Sequence, residues 1–532
     1  MPVQRRTNWE TWTVLILAAD ISILAFFYCY QHNLILLYGD AEGHINIARR
    51  IFDSRTPGPL QLGTVWLPLP HLLMMPFLIS DWAWSTAVGG SIPSMVAYVV
   101  SALGIFRLVR SSLATAGKFA AWFALLIFAA NPSLIYLQAT AMTEPLYLAL
   151  FIWAMVYLTE FTQAIQKDDL PAARRPLLWC AITLAACTLT RYDGWIAMAS
   201  AVAVVLVIAF RARNSLEAKS LRKPILRFLA ISAAGPILWL AYNTAIYQNP
   251  LEFANGPYSA KAIEHRIQQA CHPGTNDPTL AELYFVHAVE MNLAADINLA
   301  KFWLLLAAAG TLVALRRGAW LLLLLWIPLP FYALSIAYSG VPIFVPDWWP
   351  FGQYNLRYGL QLLPAVAIFS AAALDFLLAS VPRRVQQALA AAAVTLALWT
   401  SAHTATNPAS FLEANKNMQG RVALQERLAI ELAKLPPDAA ILMAIRDFPG
   451  APQRAGVPLR RLINENDMPR WRTPGNMKGL WTDALSNPRQ FVDYAVGFAG
   501  DPVDASATEH HLAVMYSLEV PGQPRATLYR AR

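Results

Sequence analysis

The side chains in this sequence best able to do chemistry begin at Asp40. Residues 38–76 read YGDAEGHINIARRIFDSRTPGPLQLGTVWLPLPHLLMMP. Asp40 and Glu42 stand two positions apart, and His44 follows Asp40 by one helical turn. Further along come Glu144 in NPSLIYLQATAMTEPLY, and Arg191 and Asp193 in TRYDGW. Lys261, Glu264, His265 and Arg266 form a cluster, and Asn355, Arg357 and Tyr358 form another. A carboxylate can take a proton from an acceptor hydroxyl or amine, while Arg or Lys neutralises a departing phosphate. Acids and cations brought to one place would therefore suit a substrate with a phosphate leaving group.

The elements that must position these groups are membrane helices. Hydrophobic residues make up 57% of 532 and charged residues only 14%, against about 25% charged in a soluble domain. Windows approaching the ~20 apolar residues of a span recur eleven times: 12–32, 84–106, 119–137, 143–161, 177–190, 195–210, 226–247, 299–315, 319–338, 357–379 and 386–403. The window at 177–190 is short, and those at 119–137 and 143–161 are interrupted. Interrupted spans are tolerated where unwound backbone lines a protein cavity.

Charge sets the orientation. With the N-terminus (Arg5, Arg6) inside, the inner loops hold 18 of the 41 Lys and Arg, and the longer outer loops hold eight. That asymmetry is the positive-inside signal. The net charge of +8 thus reports topology and implies no nucleic-acid partner. Every polar cluster named above then falls outside, in a first external loop 33–83, a long external loop 248–298, or at the outer ends of spans. The first apolar run is too long for a signal-peptide core, so it is expected to remain as a span. Cys29, Cys180, Cys187 and Cys271 imply neither a metal–thiolate site nor a disulfide framework.

After residue 404 the composition becomes that of a soluble domain. A helix-like run occupies 416–434, PPDAAILMAI reads as a turn and buried strand, and FVDYAVGF and RATLYRAR are strand-like. The expected architecture is mainly α: a polytopic bundle of about eleven transmembrane helices over 1–403, and a small extracytoplasmic α/β domain over 404–532. The tail is expected to lie over the site without building it.

Each polar residue also has an ordinary use. Asp40 and Glu42 could cap an interfacial helix, as Glu144 could cap the span that follows it. Arg191 and Asp193 could pair across the Gly194 turn, and His44 could hydrogen-bond within its loop. Lys261 and Arg357 could be snorkelling charges, and WWPFGQYN an interfacial aromatic belt. Residues 45–53 could lie flat in the interface, with Arg49, Arg50 and Asp53 on the polar face. Only the joint placement on one side favours a functional reading.

On these residues the chain resembles integral-membrane glycosyltransferases of the GT-C superfamily, notably protein mannosyltransferases and lipid A aminoarabinose transferases. The acid pair of their first external loop is matched by Asp40-Ala-Glu42. A second acid in an MxT[DE]P-like element is matched by Met142-Thr143-Glu144-Pro145. An arginine-tyrosine ahead of a late-span proline is matched by Arg357-Tyr358 and Pro364. TRYDGW and WLPLPHLL are similar to segments of bacterial relatives. The resemblance covers roughly residues 10–400 and leaves the tail unassigned.

That resemblance implies a polyprenyl-phosphate-sugar donor bound from the outer leaflet of a bacterial cytoplasmic (inner) membrane, and an inverting transfer to a protein, lipid or glycan. Asp40, the first acid and the one nearest the end of the first span, is expected to be the base. Glu42 or Glu144 would orient the acceptor or hold a metal. His44, Arg191, Asp193, Lys261, His265, Arg357 and Tyr358 would bind the donor phosphate or substrate. A divalent ion would prefer the paired Asp40 and Glu42 carboxylates. A lipid monophosphate can also leave against Arg and Lys alone, so no metal or other cofactor is required. A glycolipid flippase would need charges near the bilayer midplane and usually internal repeats, which the sequence lacks. A glycan ligase or polymerase would use a similar external site.

Overall fold

The computed structural model describes residues 8–113, 117–212, 218–262, 272–467 and 479–532. Among them, nine helices are long and apolar enough to cross a membrane, or ten if one bent pair is a single span. The bent pair is α6 (Lys118–Ala129) and α7 (Pro132–Gln138), which meet at 64°. Pro132 cannot continue the hydrogen-bond ladder of α6, and Asn131 caps the new helix by accepting from the Leu134 N–H at 3.0 Å. The interruption expected at 119–137 is this break.

The fifth expected span, 177–190, falls on α9 (Leu170–Thr188), whose early turns carry Arg174 and Arg175 and dilute its apolar character. It packs along α8 (Glu144–Gln166). Glu144 opens α8 and Arg191 follows α9, yet their side chains meet at 2.9 Å. The chain therefore runs out along α8 and back the whole length along α9. Geometry thus gives α9 a crossing that composition alone does not.

Between α1 (Asn8–Gln31) and α5 (Val88–Ser112) the first loop folds into short helices: α2 (Gly39–Arg50), α3 (Leu69–Met74) and α4 (Asp81–Ser85). The expectation that residues 45–53 lie flat in the interface fails here. Arg49 and Asp53 are buried, paired with each other at 2.7 Å, and Arg49 also holds Asp81. Two buried charges stay in a protein interior only when paired in this way.

The tail begins with a helix at Ala409–Leu432 and continues into a five-stranded sheet of order β2-β1-β3-β5-β4. The strands are β1 (Ile441–Met443), β2 (Leu462–Ile463), β3 (Tyr494–Phe498), β4 (Ala513–Leu518) and β5 (Ala526–Arg530). β1 pairs parallel with β2 and β3, and β5 antiparallel with β3 and β4. β1, β3 and β5 are the three strands expected from sequence.

The tail is welded to the first loop. Tyr38 donates to the Ser410 carbonyl at 2.8 Å, and Asn46 to Gln453 at 2.9 Å. Arg460 meets Asp53 at 3.0 Å. One continuous apolar core runs from Val14 in α1 through the bundle to Leu424 and Val496 in the tail.

Candidate active site

Arg357 stands at the centre of the polar cluster. It lies in the 3-10 turn Leu356–Leu362, entered through Asn355 at φ 58°, a left-handed conformation that Asn tolerates better than most residues. Gly359 lets this turn press against the helix Pro278–Leu293, since a Cβ there would sit 2.4 Å from the Ala288 carbonyl oxygen.

All three guanidinium nitrogens of Arg357 are engaged. Nε donates to Glu144 at 3.1 Å, Nη1 to Glu413 at 2.9 Å, and Nη2 to Asp40. Arg191 is as fully used. Its Nη1 reaches Glu144 at 2.9 Å and Thr143 at 3.2 Å, Nη2 the Tyr332 hydroxyl at 3.0 Å, and Nε Asp193 at 3.3 Å. Tyr332 in turn donates to Asp193 at 3.0 Å. The Tyr358 ring lies under both guanidiniums, 4.6 Å from Arg191 and 5.0 Å from Arg357. Four carboxylates thus surround two arginines, and Glu144 Oε2 is buried with no hydrogen-bond partner among the described residues.

The cluster forms one wall of a cavity of about 130 Å³, lined also by His44, Trp66, Tyr192 and Phe331. Of its carboxylates only Asp40 reaches open space: its side chain is 38% exposed, against 1% for Glu144 and 2% for Asp193 and Glu413. Arg357 holds Asp40 by Oδ2, and Oδ1 receives no hydrogen bond from the described residues.

His44 Nδ1 lies 2.9 Å from His71 Nε2. Burial pushes the His44 imidazole down to about 3, and the positive charges of Arg357 and Arg191 push the same way. Burial, then His44 and Arg50, hold His71 well below the ordinary range. Both rings are neutral at physiological pH.

The structure brings together Asp40, His44, Glu144, Arg191, Asp193, Arg357 and Tyr358 around the cavity. Arg191 and Asp193 also make the mutual pair expected of them. Glu42 does not line the cavity. It turns away, fully buried, to Arg454 and to Arg421 at 3.3 Å, with Gln425 donating at 3.1 Å. Lys261 is exposed and does not line the cavity; His265 lies outside the described residues, as do Glu264, Arg266 and Cys271. Because Asp40 and Glu42 diverge, they do not fit a shared divalent ion. No group of three or more His, Cys, Asp or Glu side chains converges on a metal site among the described residues.

The sequence reading missed Glu413, Tyr332 and His71. Glu413 overturns the expectation that the tail builds none of the site. It accepts from the backbone N–H of Asn355 at 2.8 Å as well as from Arg357. A signal for it existed: Ser410, Glu413, Ala414, Leu424, Gln425 and Leu428 are all buried on one helix. An acid on a buried helical stripe calls for a buried cation. A tyrosine within an apolar span, as at 332, is a similar flag.

No family model matches this chain, and no curated protein matches it. Solved structures do. ArnT from Cupriavidus metallidurans in the apo state covers 99% of this chain and 99% of its own, with TM-score 0.60 and 14% identity. The same protein bound to undecaprenyl phosphate covers 99% and 98%, with TM-score 0.58 and 15% identity. The AglB oligosaccharyltransferase of Archaeoglobus fulgidus covers 98% of this chain and 74% of its own, with TM-score 0.48 and 14% identity. The chain has the fold of these ArnT structures over nearly its whole length, tail included.

Proposed function

We propose that this protein transfers a sugar from a polyprenyl-phosphate donor to an acceptor, with inversion, at the outer face of a bacterial cytoplasmic membrane. The observation that carries this reading is Asp40, the one carboxylate of the cluster that reaches open space, fixed by one oxygen to Arg357 at the cavity wall. The shared fold with an ArnT that binds undecaprenyl phosphate supports a lipid-phosphate donor.

In this mechanism the free oxygen of Asp40 takes the proton from the acceptor hydroxyl or amine. The acceptor attacks the sugar carbon from the face opposite the phosphate, and the lipid phosphate leaves with the bonding electron pair. Glu144, held by both arginines, fixes their positions. Arg191 and Arg357 supply the positive field against which charge develops, although their direct contacts are taken by carboxylates. The Tyr358 ring packs against both guanidiniums and helps hold them in place. Trp66 and Phe331 add apolar rings to the cavity lining and help exclude water.

Proteoliposomes carrying a polyprenyl-phosphate sugar labelled in the sugar test the proposal. Label should move to an acceptor and leave unlabelled lipid phosphate, and Asp40→Asn should stop it. Movement of intact glycolipid across the bilayer, with no loss of sugar, would replace the proposal by a flippase.

A further inference from the structure

His44 and His71 form a buried pair that the mechanism above does not use. His44 lies on α2 one turn beyond Asp40 and lines the cavity; His71 lies on α3, fully buried, behind it. His44 Nδ1 lies 2.9 Å from His71 Nε2, and the ring centroids are 5.1 Å apart. The Trp66 ring packs on His44 with centroids 4.3 Å apart. Gly43 makes room for that ring, since a Cβ there would sit 2.8 Å from it. His44 is thus clamped on one side by an indole and on the other by a second imidazole.

Two neutral imidazoles can share one hydrogen bond in two ways. If His44 donates from Nδ1, His71 must carry its own proton on Nδ1. That atom is buried without a hydrogen-bond partner among the described residues. If His71 donates from Nε2, its Nδ1 is a bare lone pair, and His44 must carry its proton on Nε2. A buried N–H without an acceptor is the rarer omission in folded proteins. The second arrangement is therefore favoured, and the inner hydrogen bond sets which nitrogen of the outer ring is protonated.

We infer that His44 is a neutral Nε2–H donor into the cavity, its tautomer fixed by His71, and that it hydrogen-bonds an oxygen of the bound substrate. This rests on the donor reading given above. The chemistry follows from the crowding at Arg191 and Arg357. With every guanidinium nitrogen already paired to the protein, a substrate oxygen needs a donor that carries no competing carboxylate. The oxygen belongs either to the lipid phosphate or to a sugar hydroxyl. His44 would touch the substrate, whereas His71 is a positioning residue that acts through His44.

The experiment joins a spectroscopic arm to a binding arm. In ¹⁵N-histidine-labelled protein in bilayers, the His44 signal, assigned by its loss in His44→Gln, should show a protonated Nε2 and a bare Nδ1. His71→Gln, which can still donate, should keep that pattern; His71→Met should lose it. A protonated Nδ1 on His44 in the unaltered protein overturns the inference. In the binding arm, His44→Phe should weaken affinity about 10-fold, whereas His44→Gln, which keeps an N–H near the Nε2 position, should stay close to the parent. Weakening towards undecaprenyl phosphate itself assigns the oxygen to phosphate. Weakening only towards undecaprenyl-phosphate sugar assigns it to the sugar. Unchanged affinity for both lipids, with the parent binding them, overturns the inference and leaves the donor reading intact. If the parent binds neither lipid, the donor reading and the substrate contact fall together, and the tautomer arm still decides the pair.

Discussion

Arg357 and Glu413 grip each other twice. The guanidinium Nη1 donates to Glu413 Oε1 at 2.9 Å, and the backbone N–H of Arg357 approaches Oε2 at 3.4 Å. A residue of the tail thereby fixes the arginine that holds Asp40.

Glu413→Ala should consequently impair transfer although Glu413 does not line the cavity. Removing one partner of a buried ion pair strands the other charge and costs about 3–5 kcal/mol. A lower Tm in detergent and lost transfer are expected together. Glu413→Gln, which can still accept from Arg357, should recover much of the Tm. Full activity in Glu413→Ala would show that Arg357 is held adequately without the tail.

Asp40→Asn should leave the Tm nearly unchanged, because the side chain is partly exposed and the amide oxygen can still accept from Arg357. Transfer should fall at least ~10²-fold, as expected for loss of a general base. If activity survives, the base is elsewhere, and Glu144 with its unpartnered Oε2 is the next choice.

Glu42→Gln separates the two acids of the pair. Since Glu42 binds Arg421, Arg454 and Gln425 and does not line the cavity, its loss should loosen the tail from the first loop. Limited proteolysis should cut near 409–432 sooner, with a smaller loss of transfer than Asp40→Asn gives. A stable tail combined with an inactive enzyme would return Glu42 to the chemistry.

The contrast between Asp40 and Glu42 also marks what the sequence could and could not convey. Long apolar runs announced the spans because burial in a bilayer demands some twenty such residues at a stretch. β1, β3 and β5 were legible as short apolar runs between turns. β4 was not, because Ala513–Ser517 are exposed and give no burial pattern, and β2 has only two residues. The sequence marked both acids for the site and favoured Asp40 as base from its place nearest the end of the first span, but which acid faces the cavity depends on side-chain direction around α2. Glu413 stands on a helical stripe that flags it as an acid in need of a cation, but its partner Arg357 lies 56 residues away, and no local pattern encodes that pairing.

Acid should destabilise the protein through the histidine pair. His44 falls from an ordinary value of 6.5 to about 3 in the fold, and His71 is depressed in the same direction. Below about pH 6.5 the unfolded chain takes up protons that the folded one refuses. The stability is therefore fully present above 6.5 and declines as the pH falls toward about 3, by on the order of 1.4 kcal/mol per pH unit per histidine. Tm measured from pH 7 to pH 5 should fall in the parent protein. It should fall less in the double variant His44→Gln, His71→Gln, where no imidazole remains at these positions. Parallel curves would mean that another group governs the acid limb.

The sidedness of the tail follows from the same contacts that build the site. Glu413 meets Arg357, and Arg357 meets Asp40, so the tail and the first loop share one side of the bundle. Ser380 lies on the other. It ends the helix Leu363–Ala379, which starts next to the Arg357 turn and is about 25 Å long at 1.5 Å per residue. Arg383 and Arg384 follow directly, as expected of an inner loop. In a Cys271→Ser background, a cysteine at the exposed Ser486 position (Ser486→Cys) should react with a membrane-impermeant maleimide added to intact spheroplasts. Ser380→Cys should react only after permeabilisation. Cys29, Cys180 and Cys187 are buried and should stay silent. The reverse pattern would move Asp40 and its cavity to the cytoplasmic face, and the lipid phosphate would then have to be met from the inner leaflet.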